Sequence, residues 1–234
     1  MNYEDLRVEC CEANRMLPER GLVDLTFGNV SVGDPAKGVF AIKPSGVSYG
    51  QLEPADMVIV DFDGRTIRGK LRPSSDMPTH RRLFMGFPGI RSVVHTHSRN
   101  AVAFAQAGRE IPLLGTTHAD YFRGPVPVTR ALTDEEIAGD YEWETGNVIV
   151  ECFSKIAPAD IPAVLVRNHG PFTWGTSAKK AVETAQALEI VADMAIKTLS
   201  IARDARPVGD ALVTKHFLRK HGKSAYYGQP DAIA

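Results

Sequence analysis

The sequence has almost no net charge: 27 Lys and Arg stand against 28 Asp and Glu in 234 residues, a formal balance of −1. Nucleic-acid binding by counterion release and attraction to anionic lipid surfaces both need a basic surplus, so neither nucleic acid nor membrane is an expected partner. Long apolar runs are missing too. Stretches such as 163–166 fall far short of the ~20 residues that span a bilayer. The start, MNYEDLRVECCEA, is acidic and amphipathic and lacks the basic and apolar regions of a signal peptide, so the chain reads as cytoplasmic. Cysteine is scarce. Three residues, two of them adjacent at Cys10 and Cys11, give neither a disulfide framework nor zinc-knuckle spacing and read as small buried hydrophobes. Neither the glycine-rich dinucleotide fingerprint nor the Walker phosphate loop occurs, which disfavours a nucleotide cofactor. What remains is ordinary globular composition, 44% hydrophobic and 24% charged, with no repeat and no linker to divide it.

Leu6, Cys10, Ala13 and Leu17 recur at helical spacing until Pro18 and Gly21 stop the pattern, which predicts an opening amphipathic helix. Short strand-like runs at 27–32, 39–43, 57–61 and 66–68 follow. Gly, Pro and Asp separate them, and the Asp63-Gly64 turn signal predicts hairpins and hence antiparallel pairing. Beyond them the spacing predicts a helix over 78–87, a strand over 92–96 and a helix over 99–107 with Ser98 as its N-cap. Thr133 and Glu136 have capping-box spacing, 163–167 reads as a buried strand, and Val182, Ala185, Leu188, Ala192, Ala195 and Leu199 form one face of a long helix. Hairpins first and mixed units later predict an α/β fold: a single-domain three-layer αβα sandwich around a mixed, largely antiparallel sheet. The domain is expected to span 1–229, with 230–234 a tail without an assigned role.

The chemistry-bearing residues cluster by motif. His95 and His97 end an apolar strand, and period two puts both imidazoles on one face, the start of a transition-metal site. His169 follows a second buried strand and precedes Gly170-Pro171, a place where loops present functional groups. Asp76 stands just before a helix, where it would serve either as a ligand or as the N-cap. Three imidazoles and a carboxylate suit zinc or a similar divalent ion, and nitrogen donors disfavour magnesium and calcium. Gly28-Asn29-Val30-Ser31 and Lys43-Pro44-Ser45-Gly46 each place small and hydrogen-bonding residues at a strand end, and Ser74 and Ser75 add hydroxyls beside Asp76. Such groups can hold a phosphate dianion without a nucleotide loop, although each alone is more often a turn.

These motifs, in this order, resemble the class II aldolase/adducin family and within it the L-ribulose-5-phosphate 4-epimerase branch. The resemblance runs over almost the whole chain. Besides the segments above it rests on Pro73-Ser74-Ser75-Asp76, His95-Thr96-His97-Ser98-Arg99, Gly115-Thr116-Thr117-His118-Ala119-Asp120-Tyr121 and Asn168-His169-Gly170-Pro171. A C-terminal stretch, Lys215 to Gly222 and then Ala225-Tyr226-Tyr227-Gly228-Gln229, is similar to the epimerase branch in particular. The resemblance implies a zinc ion, or Mn2+ or Co2+, on Asp76, His95, His97 and His169. It also implies a sugar phosphate on Gly28, Asn29, Ser45, Gly46, Ser74 and Ser75, beside Lys43, whose positive charge the motif itself already offers to a phosphate. Asp120 and Tyr227 would form the acid/base pair, in a homotetramer whose active sites lie between neighbours. Aldolases carry a catalytic Glu where this chain has Asp76, which favours the epimerase branch.

Carbon 4 of a 2-ketopentose 5-phosphate is β to the carbonyl and has no acidic hydrogen, so inversion there requires breaking and remaking the C3–C4 bond. A divalent ion would stabilise charge on the three-carbon fragment, the phosphate site would retain glycolaldehyde phosphate, and one proton-transfer group would serve each face of the aldehyde. The alternatives are an aldolase that releases the fragments and a non-catalytic adducin-like interaction module, whose mark would be missing metal ligands. Two sources of a pentulose phosphate stay open, arabinose and ascorbate breakdown.

Overall fold

The computed structural model describes residues 2–221 together with Ala225 and Tyr226. Helix α1 (Tyr3–Glu19) starts at a reciprocal capping box in which Asn2 Oδ1 accepts from Asp5 N at 2.8 Å and Asn2 N donates back to Asp5. The expected stop at Pro18 comes one residue late, because a proline in the last turn forfeits a single intrahelical bond. Its apolar face, Leu6, Cys10, Ala13 and Leu17, is buried, and Cys10 and Cys11 are free thiols packed as hydrophobes.

Seven strands form one sheet: β1 (Asn29–Asp34), β2 (Val39–Ile42), β3 (Val58–Asp61), β4 (Thr66–Arg68), β5 (Ser92–His95), β6 (Ala163–Leu165) and β7 (Pro171–Gly175), in the spatial order β4-β3-β2-β1-β5-β7-β6. Every pairing between these strands is antiparallel. A lone parallel bridge between Val128 and Leu165 is the trace of the mixed sheet expected from the sequence. The hairpin at Asp63-Gly64 forms as its turn chemistry dictates, with Asp61 Oδ1 accepting from Asp63 N and Arg65 N.

Period-two alternation sends Val30, Val32, Val39, Ala41 and Ile59 to one face and Phe40, Ile42, Val58 and Val60 to the other. Helix α1 and the first half of α7 (Ala178–Ile201) cover the first face. The second packs against α2 (Met77–Gly86), α3 (Arg99–Ala107), α6 (Tyr141–Cys152) and the rest of α7. The result is the three-layer sandwich. Three further helices, α4 (Thr116–Ala119), α5 (Asp134–Ala138) and α8 (Asp210–His221), lie in the second half of the chain. The Thr133–Glu136 capping box closes around α5.

Other features also differ from expectation. Ser98 precedes α3 but its side chain makes no capping bond; its hydroxyl accepts from Thr96 Oγ1, and the helix is capped from elsewhere. Strand β7 was invisible behind Gly170-Pro171, yet a proline opening a strand costs no ladder bond there. One buried polar residue ties the layers together. Asn14 in α1 accepts from Val30 N at 2.8 Å and donates to Val30 O at 3.0 Å, pinning the start of β1 next to Gly28 and Asn29.

Candidate metal centre and sugar-phosphate cleft

The register of the sheet assembles the histidines. His95 ends β5 opposite Asn29 on β1 and Phe172 on β7, and its ring stacks on Phe172 with centroids 4.2 Å apart. His95 Nδ1 lies 3.0 Å from Pro171 O, an acceptor that selects the tautomer with the proton on Nδ1 and turns Nε2 towards the other histidines as the donor atom. His97, two residues on, stacks against Phe27 at 5.6 Å, and its Nε2 sits 3.1 Å from His95 Nε2. His169 projects from the tight turn between β6 and β7, where Val166 N bonds Gly170 O and Asn168 takes the left-handed conformation (φ 62°) that asparagine tolerates. Its Nδ1 is 3.4 Å from the Tyr141 hydroxyl.

One ring nitrogen from each of the three histidines falls within a sphere of mutual distances no larger than 4.8 Å. Burial pushes His169 down to about 4 and lowers His97 as well, so both rings are neutral donors at neutral pH. Neutral imidazoles with converging lone pairs fit a first-row divalent ion, and no other group of this kind occurs among the described residues.

Asp76 stands at the N-cap position of α2, but its side chain makes no capping bond to the helix. Burial alone would raise its carboxyl, but His95, His80 and the Asn29 amide outweigh that and hold it below the usual carboxylate range. Asp76 Oδ2 accepts from Asn29 Nδ2 at 2.6 Å and from Ser74 Oγ at 3.4 Å. The carboxylate therefore stands in the same cleft as the histidines but outside their tight cluster.

That cleft, about 340 Å³, is lined by Asp76, His95, His97 and His169 together with Gly28, Asn29, Lys43, Ser45, Gly46, Ser74 and Ser75. All eleven residues singled out as ligands or phosphate binders thus meet in one place. The two serine loops are joined by backbone bonds, Ser45 N to Arg72 O at 3.0 Å and Ser74 N to Lys43 O at 2.9 Å. Gly28 admits no side chain, since a Cβ there would sit 2.7 Å from His95 O. Lys43 is 2% exposed, its ammonium 4.9 Å over the Tyr49 ring and 3.4 Å from Pro44 O. Burial lowers its pKa and the Asp76 charge works against that. A cation so poorly solvated favours an incoming anion.

Asp120 is not among the residues lining this cleft. At the end of α4 it is clasped by α8: Arg219 donates from Nε and Nη2 at 2.9 and 2.6 Å, His216 Nδ1 lies at 3.0 Å and Lys220 Nζ at 3.8 Å. Tyr227 and the 230–234 tail lie outside the described residues. Sequence reasoning missed Thr26 and Phe27, which line the cleft, and Tyr141, which faces His169. Phe27 reads as a strand residue and Tyr141 lies 28 positions from its partner, so neither carries a local signal.

An antiparallel three-layer sandwich with a three-histidine cleft at the strand ends defines a class of protein, and the chain belongs to it: it is a member of the Class II Aldolase and Adducin N-terminal domain family, matched over residues 8–196. A relative from Salmonella paratyphi A, L-ribulose-5-phosphate 4-epimerase UlaF, is 50% identical over 97% of this chain and 99% of its own. In fold the chain is similar to an L-fuculose 1-phosphate aldolase (TM-score 0.77, 22% identity, 91% of this chain and 94% of that one). It is also similar to YgbL of Klebsiella pneumoniae, a putative aldolase/epimerase/decarboxylase (TM-score 0.70, 26% identity, 92% and 99% covered).

Proposed function

We propose that the protein is an L-ribulose-5-phosphate 4-epimerase, interconverting L-ribulose 5-phosphate and D-xylulose 5-phosphate. The observation that carries this reading is a single cleft holding three convergent imidazoles beside a buried lysine and paired serines, in a chain half identical to a relative of that name.

His95, His97 and His169 hold a divalent ion, assigned as zinc, with Asp76 as fourth donor through Oδ1, the oxygen not engaged by Asn29 or Ser74. When bound, such an ion supplies Lewis-acid stabilisation of negative charge on the ketone side of the breaking C3–C4 bond. Lys43, Ser45, Gly46, Ser74, Ser75, Gly28 and Asn29 hold the phosphate, keeping the two-carbon aldehyde in place while it turns over. Asp120 and Tyr227 exchange the proton at the C4 oxygen, one on each face. Asp120 does not line the cleft of its own chain, which supports a homotetramer in which neighbours complete each other's sites. A cytoplasmic setting belongs to this reading, and no described helix is long and apolar enough to cross a membrane.

Incubation with L-ribulose 5-phosphate, followed by NMR, tests the reaction assigned. Accumulation of D-xylulose 5-phosphate to an equilibrium mixture is the expected outcome. Accumulation of free dihydroxyacetone and glycolaldehyde phosphate would instead make the protein an aldolase.

A further inference from the structure

The turn carrying His97 is held at one end by β5 and at the other by α3. The first end is fixed by the β5–β7 register and by Thr96 N donating to Pro171 O at 3.3 Å. The second has no local cap, because the Ser98 side chain accepts no bond from the helix. The first-turn N–H groups of α3 are orphan donors that need an acceptor. Glu189, halfway along α7 and 89 residues away, supplies it: Oε1 accepts from Asn100 N at 2.9 Å and Asn100 Nδ2 at 2.7 Å, and Oε2 accepts from Ala101 N at 3.0 Å. A carboxylate taking three such bonds at the positive end of a helix is a strong anchor.

We propose that Glu189 is a positioning residue for the metal centre, capping α3 from α7 and thereby setting the course of the 96–98 turn that presents His97. The proposal rests on the reading of His95, His97 and His169 as a divalent-ion site. Glu189 does not line the cleft, so it acts only through the backbone it holds. Removing it frees the N-terminus of α3, lets the turn adopt several courses and lowers the fraction of molecules in which His97 Nε2 faces its two partners.

The test measures Co2+ affinity of the full chain by chelator competition, together with the visible spectrum of the cobalt form and the melting temperature of the metal-free protein. Glu189→Ala and Glu189→Gln are compared with Thr133→Ala, which removes the cap of α5. Thr133 stands outside the cleft. Loss of about tenfold in affinity for Glu189→Ala, the lower end for outer partners of metal ligands, with an altered spectrum and a smaller loss for Glu189→Gln, is the expected result. Thr133→Ala should bind Co2+ like the wild type even where its melting temperature falls as far. Should Glu189→Ala fail to fold, Glu189→Gln alone carries the comparison. Wild-type affinity and spectrum in the Glu189 variants would overturn the proposal. Failure of the wild-type protein itself to bind Co2+ would overturn the metal-site reading underneath it, a separate and recognisable outcome.

Discussion

Lys43 is the residue whose energetics are most specific to the cleft. Its ammonium is buried, rests on the Tyr49 ring and has one long hydrogen bond to a carbonyl, so it stays under-solvated until an anion arrives. Lys43→Met should raise KM for the phosphorylated substrate by about 10- to 100-fold, as expected for the loss of a charge-assisted hydrogen bond of ~1.5–3 kcal/mol, with metal content unchanged. Steady-state kinetics with L-ribulose 5-phosphate and unphosphorylated L-ribulose would check it, because the variant should lose most of the preference between them. At this scale the site was largely legible. His95 and His97 declare themselves by i,i+2 spacing at a strand end, and the serine and glycine loops by composition. Asn14 and Glu189 were not legible, since each acts through backbone groups on a segment far away in sequence, and nothing local in the chain marks a side chain that caps a distant element.

At the scale of elements, Asp120 ties α8 to the rest of the molecule, beside the apolar contact of Val213 with Leu113 and Ala119. Burial works to raise that carboxyl, but hydrogen bonds from Arg219 and His216 and the Lys220 charge outweigh it and hold Asp120 below the usual range. A carboxyl with a lowered folded-state pKa binds fewer protons folded than unfolded. Its stabilisation is therefore complete above the unfolded value of about 3.9 and is lost as the pH falls through the lower folded value. Hydrogen exchange of α8 amides should be flat from pH 7 to about pH 5, after correction for intrinsic rates, and accelerate below about pH 4. Asp120→Asn should show the fast exchange already at neutral pH; slow exchange in that variant would mean that the apolar contacts of Val213 and Phe217 hold the helix without the ion pair. Among elements, the hairpins, α1, α3 and α7 followed from periodicity and turn residues. Strand β7 did not, because Gly170-Pro171 makes its start look like a loop, and the capping of α3 did not, because Ser98 offers a local cap while the acceptor comes from another helix.

For the whole molecule, the proposed mechanism has Asp120, which does not line the cleft of its own chain, serve a neighbour's site, and on that proposal assembly is part of the chemistry. Asp120→Asn and Tyr227→Phe should each lower epimerisation by roughly 100-fold or more, the scale for losing a general acid or base. Mixing the two inactive variants under conditions of demonstrated subunit exchange should restore a fraction of wild-type activity, since some sites then inherit both intact groups. No recovery would mean that one chain supplies both groups or that one of them takes no part. The most direct measurement of the central claim is turnover of L-ribulose 5-phosphate, followed by NMR, in protein stripped of metal and then titrated with Zn2+. The expected result is no D-xylulose 5-phosphate from the stripped protein, activity that rises to a plateau at one ion per chain, and no such recovery in His97→Asn. Full epimerisation by the metal-free protein, or wild-type activity in His97→Asn, would contradict a reaction that depends on the three-histidine centre.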